Sequence, residues 1–325
     1  MLDHKAESKD FKNTFAESQR RYISYFLKCA QASLSLQSQE TNREIDVELP
    51  NLQNAFYLAL AKNDIEVIRE FWDSISGYFW YRGYWRVYFD WGESTLRALR
   101  QTGADPLSEG RLMGELGWLR MEWGDFSIAE EIFDRARKLL YIGKDQKYIC
   151  IVERYIGVLA YRKGDLETAE KQYEIAERIA LTINYKSSLS EIYNLQGSLA
   201  RKRGNLQLAR SLYQKAKELV ESRGDEWRLT ATLRNLAALD VQLGDLEAAK
   251  ERLEQTIDLC LRADRKDMLC SCQIKLAEVE KQLDNVERAK ILAISAREGF
   301  SSLEIKNGLE KTNQFLASLV QNVDR

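Results

Sequence analysis

Small and large apolar residues recur along most of the chain in an order that fits paired helices. An alanine stands at five positions spaced 40 residues apart, and in four of the five a larger apolar residue follows four positions later. Residues four apart share one face of an α-helix, so these side chains interdigitate when two helices pack side by side. The pattern therefore predicts long amphipathic helices in antiparallel pairs. The pairs of positions are Ala129 and Phe133, Ala169 and Tyr173, Ala209 and Tyr213, Ala249 and Leu253, and Ala289 and Ala293.

A short polar turn separates the two helices of each pair. Glycine ends the first helix because it enters the left-handed conformation without a Cβ penalty, and Asp or Asn then caps the next helix. A strict period of this length predicts a solenoid, in which each unit buries its apolar face against its neighbours. The turns are Gly124-Asp125, Gly164-Asp165, Gly204-Asn205, Gly244-Asp245 and Asp284-Asn285, and seven residues before them stand the small residues Gly117, Gly157, Gly197, Ala237 and Ala277.

On these residues the chain resembles the tetratricopeptide repeat family over residues 108–302. The residues that carry the resemblance are the pairs Leu116-Gly117, Ile156-Gly157 and Gln196-Gly197, the turns, the alanines and the aromatic residues Phe133, Tyr173 and Tyr213. Repeats of this family are about 34 residues long, so the helix pairs are longer here. The resemblance implies an all-α, right-handed α-α superhelical solenoid with a helical N-terminal cap. We expect five repeats over residues 106–302 and a C-terminal capping helix over residues 303–325.

The N-terminal third lacks the regular period. For residues 1–45 we expect a helical segment and a loop, with the helix over residues 11–37 and the polar loop over residues 38–43. Both prolines of the chain, Pro50 and Pro106, are expected where helices begin.

Residues 46–105 are rich in aromatic side chains and predict a divergent helical repeat. Arg82-Gly83-Tyr84 takes the place of the turn, 41 residues before Gly124. The aromatic residues between positions 71 and 91 are predicted to form core, with a docking patch for a partner as the alternative.

Residues 46–100 carry a second resemblance. They resemble the junction at which signal-transducing ATPases with numerous domains pass into their superhelical sensor arms. The matching residues are Glu48, Asn51, Leu52, Ala55, Trp80, Arg82, Gly83, Leu96 and Leu99. The sequence contains no Gly-x-x-x-x-Gly-Lys-Ser/Thr phosphate-binding loop. The resemblance therefore implies a sensor or regulatory arm of a signalling ATPase or transcription regulator, detached from its nucleotide-binding module.

Composition argues against catalysis and against several kinds of partner. His4 is the only histidine, and no nucleophile is joined to a base by a recognisable spacing, so we expect no enzyme. The five cysteines lack a paired ligand spacing, so we expect free thiols, no metal and no cofactor. Without an apolar run of about 18 residues or a secretory signal pattern, the chain is expected to be cytoplasmic. A balance of 48 basic and 50 acidic residues argues against nucleic-acid binding.

A stripe of basic, aromatic and amide side chains predicts a binding groove. In the family, the first helix of each pair lines the concave face, and positions 13, 10, 6 and 3 before each turn form one helical stripe. Arginine grips carboxylates through two parallel hydrogen bonds, and asparagine can hold the backbone of an extended peptide. We therefore predict a protein or peptide partner with an acidic or carboxylate-bearing segment. The candidate peptide-binding residues are Arg111, Trp118, Arg154, Tyr161, Asn194, Arg201 and Arg234.

The same residues also have plainer interpretations. Arginines on helices are often solvated or paired with a nearby glutamate, and Trp118 and Tyr161 could pack against a neighbouring helix. Three functional classes follow: a non-enzymatic scaffold that holds a partner in its groove, a sensor arm, and nucleic-acid recognition, which the charge balance disfavours.

Overall fold

The chain folds into α-helices. The computed structural model describes residues 3–33, 39–101, 103, 105–262 and 265–320. These residues form fifteen helices and no strand, which confirms the predicted all-α solenoid class. Contacts divide the chain into two compact units, Met1–Asp105 and Pro106–Arg325, which we call unit 1 and unit 2.

Unit 1 is a group of helices around an aromatic core. Phe56 and Trp91 stack with ring centroids 3.8 Å apart, and Phe71 and Phe79 meet the Trp91 ring edge-on. All four side chains are fully buried, so the core interpretation is confirmed for the centre of the aromatic segment. The helices are α1 (Asp3–Ser33), α2 (Gln39–Ala61), α3 (Ile65–Arg82) and α4 (Trp85–Gln101).

Two predictions for the N-terminal third are wrong. Residues 39–43, predicted as loop, belong to α2, while residues 34–38 lie outside the described part of the chain. Pro50 lies inside α2 rather than at its start. An interior proline costs a helix about 3 kcal/mol, but α2 buries Ile45 before Pro50 and Ala55 after it. Burial on both sides of the proline therefore holds the helix together.

Unit 2 is a row of helix pairs, and its first helix begins at Pro106, where the sequence predicts a helix start. Its first helices are α5 (Pro106–Glu122), α7 (Gln146–Lys163), α9 (Lys186–Lys202), α11 (Glu226–Leu243) and α13 (Lys266–Gln282). Each is followed by a second helix: α6 (Phe126–Gly143), α8 (Leu166–Thr182), α10 (Leu206–Glu221), α12 (Leu246–Arg262) and α14 (Val286–Ser302). The last helix, α15 (Lys306–Val320), takes the place of a sixth first helix.

The turns confirm the predicted chain reversals. The residue at the glycine position has positive φ in every pair, from +83° to +89° in the four glycines and +62° at Asp284. A second left-handed residue lies 20 positions later, at Lys144, Asn184, Gly224 and Glu304. Each repeat is therefore built from two halves of 20 residues. The sequence does not reveal this second position because its side chains share no chemistry.

Capping follows the prediction in three of the five turns. Asp165, Asn205 and Asp245 accept the backbone N–H three residues later, at 3.0, 3.2 and 3.1 Å. The capping prediction is wrong at Asp125, which accepts from Arg120 instead, and at Asn285, which donates to Glu280.

Candidate functional site

The first helices lie on the inner side of a curved row in unit 2. Consecutive first helices contact one another from α5 through α15. Among the described helices, consecutive second helices form no comparable contact. The row must therefore curve toward the first helices. We call the side of the first helices that faces away from the second helices the inner face.

Arg154 belongs to an ion-pair network that joins three inner helices. Its guanidinium pairs with Glu191 on α9, and Glu191 also accepts from Arg228 on α11 at 2.6 Å. The Arg154 side chain is only 12% exposed. Burial acts to lower the pKa of Arg154, but the charge of Glu191 outweighs this effect and raises it above the ordinary value. Arg154 therefore joins helices, and its charge is already compensated.

Arg201 and Arg234 have neutral partners only. Arg201 donates to the Gln242 side chain at 3.4 Å, and Arg234 donates to Ser271 Oγ at 2.8 Å. No carboxylate of the described side chains lies within 4.0 Å of either guanidinium. Both residues are half-buried. A half-buried cation without a counter-charge attracts anions more strongly than one in open water.

Tyr161 lies within electrostatic reach of these two arginines. Burial raises the pKa of Tyr161 above its ordinary value, and the charges of Arg201 and Arg234 oppose that rise. Lys202 Nζ stands 4.6 Å from the centre of the Tyr161 ring. We call Tyr161, Arg201, Lys202 and Arg234 the cationic site. The structure thus brings three predicted residues together and adds Lys202, which lies outside the helical stripe from which the candidates were chosen.

The Asn194 side chain, predicted to hold a peptide backbone, lies between two inner helices. It is 7% exposed, its Nδ2 donates to Thr232 Oγ1 at 2.7 Å, and its Oδ1 accepts from Asn235. Its amide therefore joins α9 to α11. One donor and one acceptor position of the amide are thus used between helices, and its burial leaves little of the side chain open to a ligand.

Arg111 and Trp118 also serve contacts between helices. Arg111 pairs with Asp145 and lies over the Tyr148 ring at 4.4 Å. Trp118 packs against Tyr155 with ring centroids 4.6 Å apart. The plainer interpretation, packing and pairing, therefore describes α5 and α7 better than a ligand contact does.

A family comparison agrees with the geometry of unit 2. The family model for the tetratricopeptide repeat matches residues 188–262, from α9 to the end of α12. Residues 188–262 are tetratricopeptide repeats. The predicted resemblance is confirmed for this segment. The repeats on either side have the same 40-residue spacing and left-handed turn residue, so the tetratricopeptide repeat geometry extends over the five helix pairs.

Solved structures share the fold at low sequence identity. A Rap conjugation gene regulator of the plasmid pLS20, in complex with the Phr* peptide, has a TM-score of 0.63 and 16% identity, with 94% of each chain covered. Aspartyl phosphate phosphatase F from Bacillus subtilis has a TM-score of 0.64 and 15% identity over 90% of this chain and 73% of its own.

A signal transduction ATPase with numerous domains, from Pyrococcus horikoshii and with a tetratricopeptide repeat sensor, has a TM-score of 0.55 and 17% identity. The alignment covers 84% of this chain and 42% of that protein. These likenesses show a common fold. The comparison with curated proteins gives no match.

Other site types find no support in the described residues. No group of three or more His, Cys, Asp or Glu side chains there is placed to hold a metal ion. Across the same residues, no helix is long and apolar enough to cross a membrane. The candidate functional site considered below is the cationic site of unit 2, whose arginines have neutral partners.

Proposed function

We propose that unit 2 is a non-enzymatic binding scaffold that holds a peptide, or a segment of a partner protein, on its inner face. The ligand carries a carboxylate that contacts Arg201 and Arg234. The observation that carries this proposal is the contrast between these two guanidiniums, which have neutral partners, and Arg154, which is paired with Glu191. A guanidinium without a carboxylate partner can form a bidentate pair with an incoming one.

The aromatic part of the cationic site adds shape to the charge. Tyr161 offers a half-buried ring beside the two arginines. An aromatic ring and a guanidinium at one site favour a ligand with an acidic residue next to an apolar one, because the guanidinium binds the carboxylate and the ring packs against the apolar side chain. The peptide complex of the pLS20 regulator supports a peptide as the ligand class for a fold of this kind.

The test is binding of matched peptides to matched variants. An array of short linear peptides presents acidic sequences beside versions in which Asp and Glu are replaced by Asn and Gln. We expect the wild type to capture members of the acidic set, and the Arg201→Gln/Arg234→Gln variant to lose about tenfold or more in affinity, roughly 1.4 kcal/mol.

The control changes two arginines outside the inner face. Arg178 and Arg210 are exposed on the second helices α8 and α10, so Arg178→Gln/Arg210→Gln alters net charge equally but leaves the cationic site intact. Equal loss in both variants would reduce the effect to general charge attraction. Equal capture of acidic and amide peptides by the wild type would contradict the proposal.

The sensor-arm alternative stays a prediction. Its support is the sequence resemblance of residues 46–100 and the fold likeness to the P. horikoshii protein. A nucleotide-binding module encoded in the same reading frame would favour it, and the same inner-face site would then serve as its ligand sensor.

A further inference from the structure

Two cysteine thiols lie side by side at the junction between the fourth and fifth helix pairs. Cys260 stands in the last turn of α12, and Cys272 stands in the next helix, α13. Both side chains are fully buried and belong to one hydrophobic cluster with Leu253 and Leu276. The Cys272 thiol donates a hydrogen bond to the Cys260 sulfur. The junction therefore holds a dithiol that bridges two helices.

The other repeats place no cysteine pair at the equivalent positions. Their side chains there are buried as well, so the fold requires burial at both positions but does not require sulfur. Reactivity, more often than packing, decides where a cysteine is used. The equivalent pairs are Leu140 and Val152, Ala180 and Ile192, Val220 and Thr232, and Phe300 and Thr312.

A buried cation lies within electrostatic reach of the dithiol. The Arg265 guanidinium donates to the backbone carbonyl of Trp227 at 2.7 Å and lies over the Trp227 ring. The hydrogen bond from Cys272 lowers the pKa of Cys260, and the charge of Arg265 adds to this effect, while burial and Asp267 oppose it. The same hydrogen bond, together with burial, raises the pKa of Cys272. The pair thus contains one sulfur that ionises readily and a second that stays protonated beside it.

We propose that Cys260 and Cys272 form an oxidisable dithiol, which hydrogen peroxide converts into a disulfide that ties the fourth helix pair to the fifth. The Cys260 thiolate attacks one peroxide oxygen; the O–O bond breaks, an S–O bond forms, and the leaving hydroxide takes up the Cys260 proton as water. Cys272 Sγ then attacks Cys260 Sγ; the S–O bond breaks, the S–S bond forms, and the released hydroxide takes the Cys272 proton. The peroxide is thereby reduced to water, and both thiols are oxidised.

The bond is tested by mapping native protein after treatment with hydrogen peroxide. The Cys29→Ser variant is used, so that the half-buried Cys29 thiol forms no bond between molecules. Trypsin separates the two cysteines, because three basic residues lie between them. We expect the intact mass to fall by two hydrogens and residues 253–262 to appear cross-linked to residues 267–275. Dithiothreitol should reverse both changes.

Cys270 provides the matched control. It lies on the same tryptic peptide as Cys272 and is also buried, but its sulfur packs against Gly299 on α14. We expect Cys270→Ala to keep the cross-link and Cys272→Ala to abolish it, both in the Cys29→Ser background. Absence of the cross-link from the Cys29→Ser protein, or its survival in Cys272→Ala, would overturn the proposal.

The tie between the helix pairs is tested by urea unfolding of the oxidised protein. A cross-link restricts the unfolded chain, so we expect the urea midpoint of the Cys29→Ser protein to rise on oxidation and to return with dithiothreitol. The midpoint of Cys272→Ala in the same background should not rise with peroxide. An equal rise in both proteins, or no rise in the first, would show that the disulfide does not hold the two helix pairs together.

Discussion

Gly157 lies so close to Tyr173 that a Cβ on the glycine would come within 2.5 Å of the tyrosine Cε1. Gly117 and Phe133, and Gly197 and Tyr213, are related in the same way at 2.7 and 2.6 Å. Where the large residue is Leu253 or absent, as at Ala293, the small residue is Ala237 or Ala277. The size of the small residue is therefore set by the ring that it faces across the helix pair.

The first prediction follows from this pairing. Gly157→Ala gains about 1 kcal/mol of helix propensity, but overlap of its Cβ with the Tyr173 ring costs about 1–3 kcal/mol. We expect a net loss in the free energy of unfolding, measured by urea titration. The double variant Gly157→Ala/Tyr173→Leu recreates the Ala237–Leu253 pairing of the fourth repeat. Its loss in the free energy of unfolding should therefore be smaller than the sum of the losses of the two single variants, by at least about 0.5 kcal/mol.

The outcome for the double variant decides between two explanations. If the effects of the two substitutions on the free energy of unfolding are strictly additive, Gly157 and Tyr173 do not interact. The matching of residue sizes across the helix pairs would then not contribute to stability.

These helix pairs are the part of the fold that the sequence predicts best. The small residues, the turns and the 40-residue period all reflect contacts between neighbouring helices. Because the repeat occurs five times, the sequence shows each of these signals five times. Pro50 shows the opposite case. The local preference of this proline for a helix start is overridden by the burial of apolar residues on both sides of it. This burial depends on tertiary packing, which the local sequence does not predict.

A second prediction concerns Glu191. Glu191→Gln leaves Arg154 and Arg228 without their shared carboxylate, although Arg228 keeps Asp225 at 2.7 Å. Hydrogen bonds to charged groups contribute about 1.5–3 kcal/mol, so we expect a destabilisation of this order in urea unfolding. The control is Glu130→Gln, whose partner Lys163 is 42% exposed. Exposed pairs contribute less than about 1 kcal/mol, and an equal effect at both positions would contradict the network.

The candidate site was harder to predict than the fold, and Arg154 and Arg201 show why. Both arginines lie on the stripe that the helical period defines, and the sequence treats them alike. They differ in what the next helix places opposite them, Glu191 for one and Gln242 for the other. That partner is fixed by the stagger between consecutive first helices, which spacing within a single helix does not encode.

A third prediction is a pH dependence in unit 1. Burial acts to raise the pKa of Asp46, but hydrogen bonds from Tyr78 and Tyr84 and the charge of Arg82 outweigh it and lower the pKa below its ordinary 3.8. A carboxyl with a lowered folded-state pKa stabilises the fold above the unfolded pKa, and this contribution is lost as pH falls through the folded one. We expect the melting temperature of the wild type to fall below about pH 4. The melting temperature of Asp46→Asn should already be lower than that of the wild type at pH 7, and it should fall less in acid.

The measurement is tryptophan fluorescence during thermal unfolding, since four of the seven tryptophans belong to unit 1. Asp90→Asn, at an exposed position of α4, is the control and should keep the wild-type profile. If Asp46→Asn follows the wild type at every pH, Asp46 does not hold α2 to the α3–α4 turn.

The fourth prediction concerns the thiols. Cys150, Cys260, Cys270 and Cys272 are buried, whereas Cys29 is half-buried. Burial raises the pKa of Cys150 and takes that of Cys270 to about 12, and a thiol reacts with alkylating reagents through its thiolate. We therefore expect native protein treated with iodoacetamide at pH 8 to gain one adduct by intact mass, located at Cys29, and denatured protein to gain five. Cys29→Ser should remove the fast adduct and leave the buried four unreactive. Rapid labelling of Cys150 or Cys270 in that variant would mean that the helix pairs open well below the global unfolding free energy.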